Sequence, residues 1–147
     1  MDSLDKAILV CLSENARMTA SAIGKRVSLS VSSVTERIKK LEESGVIERY
    51  TLLVDSTAID KNTEAYLEVT LESASYGESF SSAVCLIPEV LRCDLMAIEY
   101  DYLLFVNCES VNELDALRTK LSSLHGVKGI RVRPVLRRHK RSSSPLI

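Results

Sequence analysis

The apolar residues of this chain hold one period up to residue 41 and then leave it, and that first change narrows the folds open to it. Up to residue 41 they recur at helical spacing. Leu4, Ile8, Leu9 and Leu12 form one set, Ala20, Ile23 and Val27 a second, and Val31, Val34, Ile38 and Leu41 a third. In "AYLEVTL" they alternate instead, Leu67, Val69 and Leu71 against Tyr66, Glu68 and Thr70, the pattern of a half-buried strand. The polar stretch "STAIDKNTE" separates the two regimes. A helical block followed by a strand-rich block predicts an α+β chain.

The helical block carries its own punctuation. Asp2 or Ser3 is placed to cap the first helix, Thr19 the second and Ser30 the third. "SLS" makes a tight turn, so the last two form a helix-turn-helix. Gly24 costs its helix about 1 kcal/mol relative to Ala, which predicts the close approach of another helix there. Gly45 stops the third helix, and "VIERYTLLVD" after it reads as a strand in the position of a wing.

In the second block, Phe80, Val84 and Ile87 are spaced for a helix. "EVLRCDLMAIE" and "YDYLLFVNCE" read as two strands joined near residues 99–101. "SVNELDALRTKLSSL" is a helix with Ser110 as cap, Glu113 at capping-box spacing and a stripe of Leu114, Leu117, Leu121 and Leu124. "VKGIRVRPVLR" is a last strand, which Pro134 assigns to an edge. The order β-α-β-β-α-β is ferredoxin-like. The expected division is a winged-type helix-turn-helix over residues 1–50, a linker strand over 51–63 and a βαββαβ domain over 64–147.

Charge is segregated along the 147 residues although the net is only −1. Residues 1–50 hold eight Lys/Arg and seven Asp/Glu; residues 51–127 hold four against thirteen; residues 128–147 hold seven and no acid. Cations are therefore placed locally on a chain that is acidic in its middle. A protein that coats polyanions indiscriminately is more often basic throughout.

The third helix has one thin apolar edge and a broad face of hydroxyls and charges. The major groove of double-stranded DNA admits one α-helix and reads it through hydrogen-bonding groups. With Val34 inward, Ser32, Glu36, Lys39 and Lys40 point away from the core, Ser33 flanks them, and Ser30, Ser32 and Ser33 lie at the groove entry. Glu36 is suited to accept from a cytosine amino group. Arg37, Lys39 and Lys40, with Arg17, Lys25 and Arg26 from the preceding elements, are candidates for phosphate. The alternative is an assembly or ligand-sensing module without direct DNA readout, whose charged helix face is merely solvated. At the other end, Arg131 and Arg133 share one strand face. They, Arg137, Arg138, Lys140 and Arg141 either pair with the acidic surface of the middle segment or add DNA contacts.

These residues resemble the leucine-responsive/asparagine-regulator (Lrp/AsnC) transcription factors. The first half does so through "LDKAIL", "NAR", "LSVSSVTERIKKLEESGVI" and "YTLLVD"; the second through "PEVLRCDLM", "YDYLLFV" and "HGVKGI". The resemblance implies a homo-oligomeric regulator, a homodimer or an octamer of four dimers, pairing through the C-terminal sheets and responding to an amino acid. It puts Ser32, Ser33, Glu36 and Arg37 on the DNA-facing part of the motif. It puts the effector site at Met96, Ile98, Glu99 and Asp101 and at the turn with His125 and Gly126. Ile98 departs from the family, which usually has glycine there. A β-branched side chain where a backbone should approach a small ligand leaves the amino-acid response altered or absent. Ala22 and Gly24 also depart, where the family usually has an acid and Ala.

Other classes find little support. No run nears the roughly 18 apolar residues of a membrane helix. The start "MDSLDKAILVCLSENA" has acids where a signal peptide has bases, so the expected location is the cytoplasm. Cys11, Cys85, Cys93 and Cys108 form no CxxC pair, and with His125 and His139 as the only histidines no metal spacing arises. The cysteines read as small buried hydrophobes. No GxSxG, GxxxxGK[ST] or HExxH occurs. The chain is therefore expected to be no enzyme and to need no cofactor.

Overall fold

The computed structural model describes residues 1–97 and 101–140. The chain divides into two compact units, one built on Met1–Leu53 and one on Val54–His139. In the first, the chain forms α1 (Ser3–Glu14), α2 (Ala20–Val27) and α3 (Val31–Glu43). Asp2 caps α1 in a full capping box: its carboxylate accepts from the Asp5 N–H, and that of Asp5 accepts from the Asp2 N–H. Thr19 and Ser30 cap α2 and α3 through the N–H groups of Ala22 and Ser33. Ile8, Cys11, Ile23 and Val34 form the buried centre, with Leu12, Met18, Ala20, Val27, Leu29 and Ile38 around it.

The turn between α2 and α3 is tight because Ser28 takes a left-handed φ of 55° and the Leu29 N–H donates back to the Gly24 carbonyl. A Cβ on Gly24 would stand 2.5 Å from the Leu29 carbonyl oxygen. Another helix does approach Gly24, as expected, since Val34 Cγ2 of α3 would lie 3.7 Å from that Cβ, but the tightest contact comes from the turn itself. Gly45, at φ +72°, ends α3. Val34 and Leu41 of the predicted seam are buried, but Val31 is 52% exposed, one residue past the cap and clear of the core. Residues 46–55 form no strand, contrary to the sequence reading. Their apolar residues suit a strand, but a strand is stable only where a neighbour completes its hydrogen-bond ladder. Leu52 and Leu53 are largely exposed, and a 3-10 turn, Thr57–Ile59, follows.

The second unit runs β1 (Thr63–Leu71), α4 (Gly77–Val84), β2 (Val90–Leu95), β3 (Tyr102–Cys108), α5 (Val111–Ser122) and β4 (Val127–Pro134). Its sheet has the order β2-β3-β1-β4 with antiparallel pairing throughout. Two β-α-β crossovers produce this order, each returning its last strand beside the first after a gap that the other fills. Ala65, Leu67, Val69 and Leu71 alternate inward on β1 and pack, with Leu104 and Val106, against Phe80 and Val84 of α4 and Leu114, Leu117 and Leu121 of α5. Each such side chain, fully buried, contributes about 1.5–3 kcal/mol. β4 is an edge strand, so Pro134 withholds its donor where little pairing is lost. Ser110 caps α5, and the Glu113 carboxylate turns back to the Glu109 N–H, one residue beyond the Ser110 N–H of the expected box.

Both helices cover one sheet face. The other carries Tyr66 against Phe105, ring centroids 5.1 Å apart, and Glu68 beside Arg131 and Arg133. All four cysteines are free. Cys11 and Cys108 are buried as expected, whereas Cys85 is exposed because it falls at the C-terminal end of α4, beyond the part that packs on the sheet.

Candidate nucleic-acid interface and effector region

α3 turns about 100° per residue, so Val34 inward leaves Ser32, Glu36 and Lys39 on the opposite side. All three are exposed there. Ser30 holds the first turn together: its hydroxyl accepts from the Ser33 N–H and lies 3.0 and 2.8 Å from the hydroxyls of Ser32 and Ser33. These small groups leave the N-terminal end of α3 unobstructed.

The charged residues are not equivalent. Lys40 bonds Glu36 at 2.7 Å, one turn back, and Lys39 lies 3.6 Å from Glu43. The Lys40 ammonium holds the Glu36 carboxyl below its ordinary range, and Glu36 raises Lys40 in turn. Both pairs are solvated and i,i+4, so they are weak and exchangeable for stronger anions. Arg17 and Lys25 are exposed, while Arg26 is bound to Glu14 of α1. Arg37 is held most closely. Its guanidinium bonds Asp2 at 2.7 Å and Asp5 at 2.6 Å. Its position on α3, about 60° from Val34, turns it toward α1 and away from Ser32 and Lys39.

The capping-box bonds, then Arg37, hold the carboxyls of Asp2 and Asp5 below their ordinary range. The sequence reading missed this cluster, although two acids three apart at a helix start and an Arg beside an inward seam were visible signals. An open groove of about 470 Å³ runs along it, lined by Asp5, Ser33, Glu36, Arg37 and Lys40 among others.

In the second unit, Ile98 and Glu99 lie outside the described residues. Other expected positions are described. The Met96 N–H donates to the Asp101 carbonyl, the Asp101 N–H donates to Val69, and the Asp101 carboxylate accepts from the Leu71 N–H. Gly126 takes φ +84°, and its carbonyl accepts from the Glu72 N–H. His125 meets Tyr76 edge-on, ring centroids 4.8 Å apart. Tyr76 went unnoticed in the sequence, since no local pattern links it to residues nearly fifty positions away. A Cβ on Gly77 would stand 2.8 Å from the Tyr102 hydroxyl, which donates to the Gly77 carbonyl. Of the basic C-terminal residues, Arg133 bonds Glu68 and Arg138 bonds Glu64 while lying 4.8 Å over the Phe105 ring. Arg141 is outside the described residues.

Among the described residues no group of three or more His, Cys, Asp or Glu is placed to hold a metal ion, and no helix is long and apolar enough to cross a membrane.

Comparison with known proteins agrees at both ends of the chain. A winged helix-turn-helix DNA-binding family matches residues 1–48 and the Lrp/AsnC ligand-binding domain family matches residues 64–145. The chain is 31% identical to the leucine-responsive regulatory protein of Klebsiella pneumoniae, over 100% of this chain and 92% of that one. It is 29% identical to the transcriptional regulator FL11 of Pyrococcus furiosus, over 97% and 94%. The structure of a Neisseria meningitidis transcriptional regulator in complex with L-methionine superposes with a TM-score of 0.93 at 32% identity, covering 98% of this chain and 95% of that one. The helix-turn-helix, the βαββαβ unit and these matches across the whole chain agree: the protein belongs to the Lrp/AsnC family of DNA-binding transcriptional regulators.

Proposed function

We propose that this regulator reads double-stranded DNA with the outward face of α3, works as a homodimer or larger homo-oligomer, and is tuned by an amino acid bound in its C-terminal unit. The observation that carries the first part is α3 itself. Val34 and Leu41 bury one edge, and Ser30, Ser32, Ser33, Glu36, Lys39 and Lys40 make up a face without an aliphatic patch. Base edges are met by Ser32, Ser33 and Glu36 once Lys40 exchanges its carboxylate for phosphate; Lys39, Lys40, Arg17 and Lys25 supply phosphate contacts. Because two-fold dimers read paired half-sites, the operator is an imperfect palindrome with half-sites about one helical turn apart.

Self-association is supported by the sheet face that α4 and α5 leave uncovered, with its Tyr66–Phe105 pair. The amino-acid effector is supported by the L-methionine bound to the Neisseria meningitidis relative. Met96, Asp101, His125 and Gly126 are the positions proposed for it, with Ile98 and Glu99 between them in sequence. Ile98 narrows the choice of ligand or abolishes the response. The protein acts in the cytoplasm, by binding and not by catalysis.

Selection of duplexes from a randomised pool by the full-length protein, followed by fluorescence anisotropy across a salt series with and without amino acids, tests this. Enrichment of a palindromic site that survives excess random competitor is expected. Binding of every duplex alike, or replacement of Lys39 and Lys40 by Glu without effect, would overturn the reading.

A further inference from the structure

Arg37 sits within the reader motif, yet its surroundings are those of a structural clasp. We propose that Arg37 is a positioning residue for DNA reading: it pins α3 to the start of α1 through Asp2 and Asp5 and takes no DNA phosphate. The inference rests on α3 being the reader.

Three observations carry it. The first is the completeness of the cluster. Asp2 accepts from the Asp5 N–H on one oxygen and from Arg37 on the other; Asp5 accepts from the Asp2 N–H and from Arg37 in the same way. All four carboxylate oxygens are thus engaged, and the capping box fixes the two acceptors whether or not Arg37 is there. The second is enclosure. The Arg37 side chain is 30% exposed and that of Asp5 16%, with Asp2 on the outer side at 52%, against 72% for Lys39 and 70% for Lys40. The third is direction. Arg37 flanks the buried Val34–Leu41 edge on the α1 side, so a phosphate met by Ser32 or Lys39 lies across the helix from it; Ser33 and Lys40 lie nearer, but the Arg37 guanidinium is turned to Asp2 and Asp5.

The seam explains why a clasp is needed. Val34 and Leu41 are the buried residues of α3, Ile38 is only partly buried against the core, and Val31 contributes nothing to it. An edge this narrow resists translation better than roll. With side-chain tips about 5–6 Å from the helix axis, a roll of about 10° shifts them by about 1 Å. That shift takes a hydrogen bond from its optimum to beyond its limit. Arg37 lies off the seam, where a tether to α1 opposes roll.

The test uses the full-length protein and the duplex that the wild type selects from a randomised pool, with a scrambled duplex beside it. Binding is measured over a salt series for Asp5→Asn, Arg37→Met, Arg37→Lys and Lys39→Ala. Asp5→Asn and Arg37→Met should each lower affinity for the selected duplex on the order of tenfold, the worth of about one base contact. Both should leave scrambled-duplex binding and the salt slope unchanged, and Arg37→Lys should restore part of the loss. Lys39→Ala, the phosphate control, should weaken both duplexes and flatten the slope by about 0.9.

A phosphate-contacting Arg37 gives the opposite pattern. Asp5→Asn would then loosen the hold on the guanidinium, leaving the Asp2 bond alone, and tighten binding to both duplexes, and Arg37→Met would flatten the slope as Lys39→Ala does. Loss in equal measure on both duplexes, matching a fall in the active fraction found by stoichiometric titration, would mean that the cluster serves folding alone and would equally overturn the proposal. A wild type that enriches no duplex removes the reader itself and the inference with it.

Discussion

Replacing Gly126 by Ala perturbs the C-terminal unit at a point where two costs separate. Gly126 holds φ +84°, in the region where an L side chain meets its own backbone at about 1–2 kcal/mol. The added Cβ would also stand 2.2 Å from Cγ of Tyr76, 2.5 Å from Cδ2 and 2.6 Å from Cβ. These atoms are the root of the side chain, so no rotation of the ring clears them. Forcing a methyl into such a contact costs about 1–3 kcal/mol, and Gly126→Ala should destabilise the unit by about 2–5 kcal/mol.

Gly129→Ala is the control, because nothing lies within 4 Å of a Cβ there; it should stay within about 1 kcal/mol of the wild type. Tyr76→Gly, which also removes the Tyr76 Cβ, combined with Gly126→Ala should recover the contact cost and leave the φ cost, a coupling of about 1–3 kcal/mol in a double-mutant cycle. The assay is urea unfolding followed by near-ultraviolet dichroism, since four of the five tyrosines, Tyr66, Tyr76, Tyr100 and Tyr102, belong to this unit. Gly126→Ala and Gly129→Ala agreeing within about 0.5 kcal/mol would refute the reasoning.

The carboxyls of Asp2 and Asp5 titrate below their ordinary value of 3.8 in the folded protein, so just under pH 4 the unfolded chain binds more protons than the folded one. The stability they contribute is fully present above that value and is lost as the pH falls through the folded-state values. Acid titration followed by helix dichroism should show this loss in the wild type and a shallower one in Asp5→Asn; parallel curves would contradict it. The thiols should divide by burial. Burial pushes Cys108 up to about 11 and also raises Cys93, whereas Cys85 is exposed. Timed alkylation of the native protein at pH 8, read by peptide mass spectrometry, should label Cys85 first and Cys11 and Cys108 only on unfolding, and labelling of Cys108 as fast as Cys85 would count against the packing described.

What could be read from the sequence was what depends on near neighbours. Periodicity located the helices and strands, and Thr19, Ser30 and Ser110 announced three helix starts because a cap acts within three residues. The inward sets, Leu67/Val69/Leu71 and Leu114/Leu117/Leu121, followed from the pleat and the helical turn. Residues 46–55 show where such reasoning stops: their apolar content suits a strand, but strand formation needs a partner ladder that a local pattern does not contain. Gly24 taught the same in small, since its tightest contact comes from the carbonyl of a turn five residues on.

The candidate site divides in the same way. The outward set Ser32, Glu36 and Lys39 follows from the period of one helix, and the sequence alone determined it. Whether each cation on that helix is free to leave its place was decided by tertiary structure. Arg37 carries the same charge as Lys39 and Lys40, but only the packing of α1 against α3 brings Asp2 and Asp5 to it across more than thirty residues. The Tyr76–His125–Gly126 contact, made between elements far apart in the chain, was likewise decided by the fold. A helical period assigns direction from one residue to the next, but which groups meet depends on the chain folding back on itself, and nothing local encodes that.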